Sequence, residues 1–260
     1  YLFLCLGEVA LRTKAKLQLL GYADKYLGKK FKVIMFFSLL FGVYSALLAY
    51  LIGEWQSLSY IFTGSAGYAL YFAIGFWFIM TLLLREGLRG LKKISTYGVL
   101  AVTFIILLLA VLYAPEIDYE NLRQNNFQYL FLPFGVVLFA LMGFNSVPEL
   151  EMIIKGEEKK LKKAIILGVL IPIILYGVFS FTVLGAFDEI PEVATIGFGK
   201  LFSVLGIFTM FTCYFVNSFA LKEVYKLDLK LSNKMSYFLV SVIPILIYLM
   251  LYIFNKLSFI

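Results

Sequence analysis

The chain has 260 residues, of which 62% are hydrophobic, 18% aromatic and only 15% charged, and its mean hydropathy is +0.92. A water-soluble domain averages nearer half apolar and a quarter charged, so disorder, a disulfide-rich secreted module and most soluble enzymes are excluded, and a multi-spanning membrane protein remains. The net charge of +7 comes from 23 Lys and Arg against 16 Asp and Glu; histidine is absent, which removes Ser-His-Asp and Cys-His catalysis, HExxH zinc sites and histidine proton relays together.

In chain order, Tyr1 to Leu11 is apolar, and its basic residues follow the apolar run instead of preceding it, the reverse of a signal peptide. It reads as the tail of a helix that begins earlier, and the sequence as a fragment. Cys5 and Cys213 lie inside apolar runs with no disulfide or metal spacing, so buried free thiols are expected and no metal site. From Lys14 to Lys32, Leu17, Leu19, Leu20, Ala23, Tyr26 and Leu27 interleave with Lys16, Asp24, Lys25 and Lys29. That spacing predicts a short amphipathic helix at the inner membrane surface, with a solvated loop as the plainer reading.

A spanning helix needs about 20 apolar residues, since ~1.5 Å per residue must cross ~30 Å of hydrocarbon. Seven segments reach that length: 33–53, 67–84, 94–114, 131–154, 164–187, 200–222 and 235–254. No strand alternation accompanies them, so the expected fold is an all-α, polytopic membrane helix bundle forming one domain over 1–260. Twenty of the 23 basic residues fall in 12–32, 85–93, 155–163 and 222–234, whereas the alternate loops hold Glu54, Glu116, Asp118, Glu120, Asp188, Glu189 and Glu192. The bias alternates at every loop, which places the basic segments in the cytoplasm. The same distribution accounts for the net charge without nucleic acid.

Within hydrocarbon, helix breaks survive only where protein or water shelters the freed backbone, so breaks point to sites. In 131–154, Gly143, Asn145, Ser146 and Pro148 cluster near mid-membrane. Pro148 has no N–H to give Phe144 and crowds its carbonyl, Gly143 adds freedom, and Asn145 and Ser146 bond freed backbone groups. A break between Gly143 and Pro148 and a simple proline kink are both compatible with that cluster. Helix 200–222 carries Thr209, Thr212, Cys213, Val216, Asn217 and Ala220 on one face, a pathway lining or an interhelical seam. On 33–53, Ser38, Gly42, Ser45 or Ala46, Ala49 and Gly53 predict a small-residue seam beside Tyr44, a tyrosine placed to contact a ligand or to pack. Pro172 predicts a kink. Glu149 lies below the break, facing an inner cavity, and Glu223 with Lys222 and Lys226 reads as a solvated group at the inner boundary. No two carboxylates converge, so no enzyme centre is visible.

The run GFNSVPELEMIIKGEEKKLKKAIILGVLIPIILYGVFSFTVLG, Gly143 to Gly185, resembles the amino acid/auxin permease family, in particular its aromatic amino acid permease branch. Its Gly-containing broken helix, Pro-Glu pair, basic loop and IP-x-x-x-Y helix carry the resemblance. LGEVALRTKAKLQLLGYADKYLGKKFK is similar to that family's first inner loop, and FTMFTCYFVNSFALKEVYKLDL to its eighth helix. The resemblance implies a LeuT-like inverted repeat in a multi-pass plasma-membrane protein, here from the end of helix two through helix nine. It implies ion-coupled amino acid transport by alternating access, without a cofactor and without enzyme activity. The substrate residues would be Phe139, Gly143, Phe144, Asn145, Ser146 and Tyr44, with Phe139 and Phe144 favouring an apolar or aromatic side chain. The first helix would supply the other half of that pocket. Two departures leave the coupling ion open: Phe144 stands where relatives often carry histidine, and Thr212-Cys213 where many carry Thr-Ser. A proton would need Glu149, and sodium would need Thr212. A non-transporting scaffold or degenerate remnant is the alternative, and oligomeric state is not legible.

Overall fold

Backbone amides that meet no water must bond within their own segment, and every regular element among the described residues is helical. The structure is a computed structural model that describes residues 1–13, 15–64, 68–123, 131–154, 156–191 and 193–257. Lys14, Gly67, Lys155, Glu192 and the stretch 124–130, weighed above as loop or span-end residues, lie outside the described residues. Packing divides the chain into two compact units, one of Tyr1–Lys14 with Val102–Glu192 and one of Ala15–Ala101 with Val193–Ile260.

Unit one contains α1 (Leu2–Arg12), the end of α5 (Gly87–Tyr113), α6 (Phe134–Ala140), α7 (Val147–Ile153) and α8 (Leu161–Ala186). Its core joins α1, α7 and α8 through Val147, Leu161 and Ile165, with Phe3, Leu6 and Leu150 packed against them. At the other end, Asp118 N–H donates to the Gly185 carbonyl (2.9 Å) and Asn121 Nδ2 to Asp188 Oδ1 (3.0 Å). Two loops read as outer from their charges therefore meet. Pro172 is held inside α8 without ending it.

Unit two contains α2 (Leu19–Leu27), α3 (Lys29–Thr63), α4 (Ala69–Leu83), most of α5, α9 (Ala194–Gly197), α10 (Lys200–Glu223) and α11 (Asn233–Leu257). Here the inner loops meet: Lys222 Nζ donates to the Leu84 carbonyl (3.5 Å), and Arg85 Nε to Tyr237 Oη (3.3 Å). Among the described residues six apolar runs are long enough to cross a membrane, against the seven spans expected. The expected spans 67–84 and 94–114 fall in one run here, Leu70–Glu116, of 47 residues. At ~1.5 Å per residue it is about twice the hydrocarbon thickness. It is interrupted at Leu84–Glu86 and Gly87, whose φ of 59° favours glycine. Large side chains such as Phe41, Phe104, Ile174 and Phe181 are exposed, as expected where lipid is the solvent.

Four expectations are corrected. α3 continues ten residues beyond 53, since EWQSLSYIFT has no breaker until Gly64 caps the helix at φ 67°. Glu54 is accordingly inside a helix and buried, not in an outer loop. Most of the expected small-residue seam is not the packed face of α3: Ser38, Gly42, Ser45 and Ala49 are exposed, and Ala46 is buried among Leu39, Val43, Leu47 and Leu51. Large apolar knobs remove more surface than glycines do, and Gly53, against Met210, is the seam position in close contact. Glu223 and Lys222 are buried, because α11 and the Leu84–Glu86 turn pack on α10. Finally, α2 is shorter than 14–32 and buries its first turns, Leu19 to Ala23, while Tyr26 and Leu27 are exposed. Its start is held by a remote carboxylate, so burial follows the anchored end rather than a stripe.

Candidate functional site

The break in 131–154 is built from residues that cannot continue a helix together. α6 ends at Ala140, residues 141–143 are not helical, Phe144–Ser146 form a 3-10 turn, and α7 begins at Val147. The gap lies earlier than the expected Gly143–Pro148. Pro148 occupies the first turn of α7, where a missing N–H costs nothing, and its ring disturbs the turn before it. Gly143 has φ −93° and ψ 9°, a conformation open to any residue, so backbone freedom is not its role. A Cβ there would lie 3.6 Å from Phe3, in ordinary contact.

Most of the freed backbone is recovered locally. Met142 N–H donates to Phe139 O (3.2 Å), Gly143 N–H to Leu141 O (2.8 Å) and Ser146 N–H to Gly143 O (3.1 Å). Tyr176 Oη, the tyrosine of the IP-x-x-x-Y run, donates to the Ala140 carbonyl (3.2 Å). What is left is directional: the Met142 carbonyl and the N–H groups of Phe144 and Asn145 have no hydrogen bond among the described residues. Asn145 Oδ1 is buried and also without a partner among them. Buried polar groups are normally satisfied, so the buried Asn145 Oδ1, with these unbonded backbone groups beside it, is a place for a polar ligand or water. Phe139 at 49% exposed and the half-buried Phe144 flank it. Glu149 is 2% exposed in the first turn of α7, where the helix dipole favours negative charge.

Tyr44, Thr212 and Cys213 belong to the other unit. Tyr44 Oη is hydrogen-bonded to Tyr225 Oη (2.9 Å) and donates to the Leu239 carbonyl (3.3 Å), joining α3 to the turn that follows α10 and to α11. Thr212 shares its hydroxyl proton between the carbonyls of Phe208 and Thr209 (2.9 Å each), keeping its oxygen lone pairs. Its methyl group fills the space that a side chain on Gly98 of α5 would need. Thr209 and Asn217 likewise bond to carbonyls of their own helix. Cys213 is a half-buried free thiol. Among the described residues no group of three His, Cys, Asp or Glu could hold a metal ion. The buried Glu54 was missed in the sequence because it follows directly on an apolar run. The one available signal was the absence of Gly or Pro before Gly64.

A profile of the tryptophan/tyrosine permease family matches residues 2–197. No curated protein and no solved structure matches the chain. The matched region contains α1 to α9, hence both halves of the interrupted helix, the basic loop after it and the tyrosine bonded to its end. Permeases move solutes and are not enzymes. The chain belongs to the tryptophan/tyrosine permease family.

Proposed function

We propose that the protein carries an aromatic amino acid across the plasma membrane by alternating access, driven by a coupling ion. The observation that carries the reading is the interrupted helix α6–α7, whose unbonded Met142 carbonyl and buried Asn145 Oδ1 suit a substrate ammonium. The unbonded N–H groups of Phe144 and Asn145 suit an anionic group or water. Phe139 and Phe144 offer aromatic surface to the side chain, and Gly143 and Ser146 frame the opening.

The division into units supports the transport reading. In a LeuT-like inverted repeat each helix is related to the one five places later. With α1 taken as the end of helix two, unit two groups helices three and four with eight and nine, and unit one groups two with seven around the broken sixth. Each unit thus keeps symmetry-related members together, as two bodies that move as wholes would. For the coupling ion, Thr212 oxygen with Cys213 beside it suits sodium, and Glu149 suits a proton.

Counterflow of labelled tryptophan, tyrosine and phenylalanine into proteoliposomes holding the complete protein tests the proposal, with sodium and proton gradients varied separately. Uptake competed by aromatic amino acids and driven by one gradient is expected. Absence of counterflow for all three would favour the scaffold or remnant reading.

A further inference from the structure

Glu54 lies toward the outer end of α3, is 1% exposed, and has an oxygen, Oε2, without a hydrogen-bond partner among the described residues. The indole nitrogen of the next residue, Trp55, is also buried and unpartnered among them. Glu54 continues the buried face formed by Leu47, Leu51 and Ser57, and α3 packs on α10 along much of its length. One residue before it, Gly53 abuts Met210; three residues after it, Ser57 Oγ lies 3.3 Å from where a Cβ on Gly206 would stand. The carboxyl group is therefore enclosed by α3 and α10 with polar capacity unused.

Among the described residues Glu54 forms no ion pair. Of the elements packed on α3, α4 and α9 contain no charged residue, and α10 carries Lys200 at its outer end and Lys222 and Glu223 at its inner end. α11 carries Lys234 and Lys256, and α2 carries Asp24 and Lys25. The remaining titratable groups on these elements are tyrosines and Cys213. A desolvated carboxylate without a partner is strongly disfavoured, whereas the neutral acid is an ordinary hydrogen-bonding group. Such a residue holds a proton while enclosed and gives it up when hydrated.

We propose that Glu54 is the proton-binding site through which the transmembrane proton gradient drives transport. A hydronium ion in the outer water protonates the hydrated carboxylate, leaving a water molecule; enclosure of the side chain seals the neutral acid; hydration from the inner side returns the proton to water. The proposal rests on the transport reading above. It is separate from Glu149 and Thr212, because it places the coupling group on α3.

The test uses the complete protein in proteoliposomes, as wild type, Glu54→Gln and Glu54→Asp. Glu54→Gln should keep tryptophan counterflow within about twofold and lose accumulation driven by an imposed proton gradient at least tenfold, since glutamine mimics the neutral acid but carries no proton. Glu54→Asp should retain part of the accumulation. Infrared difference spectra of the wild type should show a neutral carboxylic acid band that changes on tryptophan binding and shifts in Glu54→Asp, a readout that survives poor folding of the glutamine variant. Proton-driven accumulation by Glu54→Gln at the wild-type level overturns the proposal, as does loss of counterflow together with accumulation in a well-folded variant. Absence of counterflow in the wild type overturns the transport reading itself.

Discussion

Asp228 offers the most direct quantitative test of the inner end of unit two. It is the last residue of the π-helical turn Val224–Asp228 that follows α10, and it is 8% exposed. Its Oδ1 accepts from Gln18 N–H (2.8 Å) and its Oδ2 from Gly21 N–H (2.7 Å). Those donors are at the N-cap and third residue of α2, amides that a helix start leaves without partners, and α2 has no side-chain cap of its own. A carboxylate 207 residues away in sequence does that work. Asp228→Ala would strand two buried amides at about 1–3 kcal/mol each, so the inner helix should lose about 2–6 kcal/mol. Even the lower bound corresponds to roughly 30-fold more frequent opening. Hydrogen exchange on the detergent-solubilised protein should show that loss of protection across 18–23, with Asp228→Asn intermediate because one acceptor oxygen is kept. Gly21→Ala should reproduce the effect, since a Cβ there would lie 2.5 Å from Asp228 Oδ1. Combined with Asp228→Ala it should add little. Unchanged protection in Asp228→Ala, or full additivity of the pair, would refute the reasoning.

Gly98→Ala should lower thermal stability by about 1–3 kcal/mol through collision with the Thr212 methyl, and Thr212→Ser, which removes that methyl, should restore most of it; additive melting shifts would exclude the contact. Asn145→Ala should raise the KM for tryptophan counterflow roughly tenfold or more, the worth of one hydrogen bond to a charged group at about 1.5–3 kcal/mol, with melting unchanged. An unaltered KM would remove Asn145 from the site. Single cysteines at Glu120 and Lys159, with Cys5 and Cys213 replaced, should be labelled from opposite sides of the membrane. Labelling of both from one side would invert or break the assigned topology.

The helical class and the presence of long apolar helices were legible because they depend on composition over some 20 residues, where single side chains average out. Charge gave the grouping of loops for a similar reason: Asp118 meets Gly185 and Lys222 meets Leu84, as loops on one side of a membrane would. Partnerships between distant residues were not legible. Nothing in KLDLKLS announces that Asp228 caps a helix starting at Leu19, and nothing around Tyr44 announces Tyr225. The small-residue stripe on α3 failed as a guide because permitting close approach is weaker than driving it. The driving surface was the leucine and valine face, and it turned Glu54 inward with it. A single carboxylate after an apolar run looks the same in sequence whether the helix stops or continues. Only the distance to the next breaker, Gly64, separates the two cases.

The interrupted helix shows how much direction a proline carries. Read as a helix breaker, Pro148 marks an end; in the structure it marks a beginning, within the first turn of α7, with the irregular backbone wholly on its N-terminal side. The asymmetry is built into the residue: its ring obstructs the carbonyl four places back, and its missing N–H is one that a first turn would leave unpaired anyway. A proline near mid-membrane therefore starts the second half-helix and pushes the first to end a turn earlier, here at Ala140. The residues between inherit groups that neither half can satisfy. Asn145 sits among them with a buried oxygen that finds no partner among the described residues. A buried oxygen without a partner is costly unless something polar visits it, and under the transport proposal a substrate ammonium is the visitor whose charge fits an acceptor.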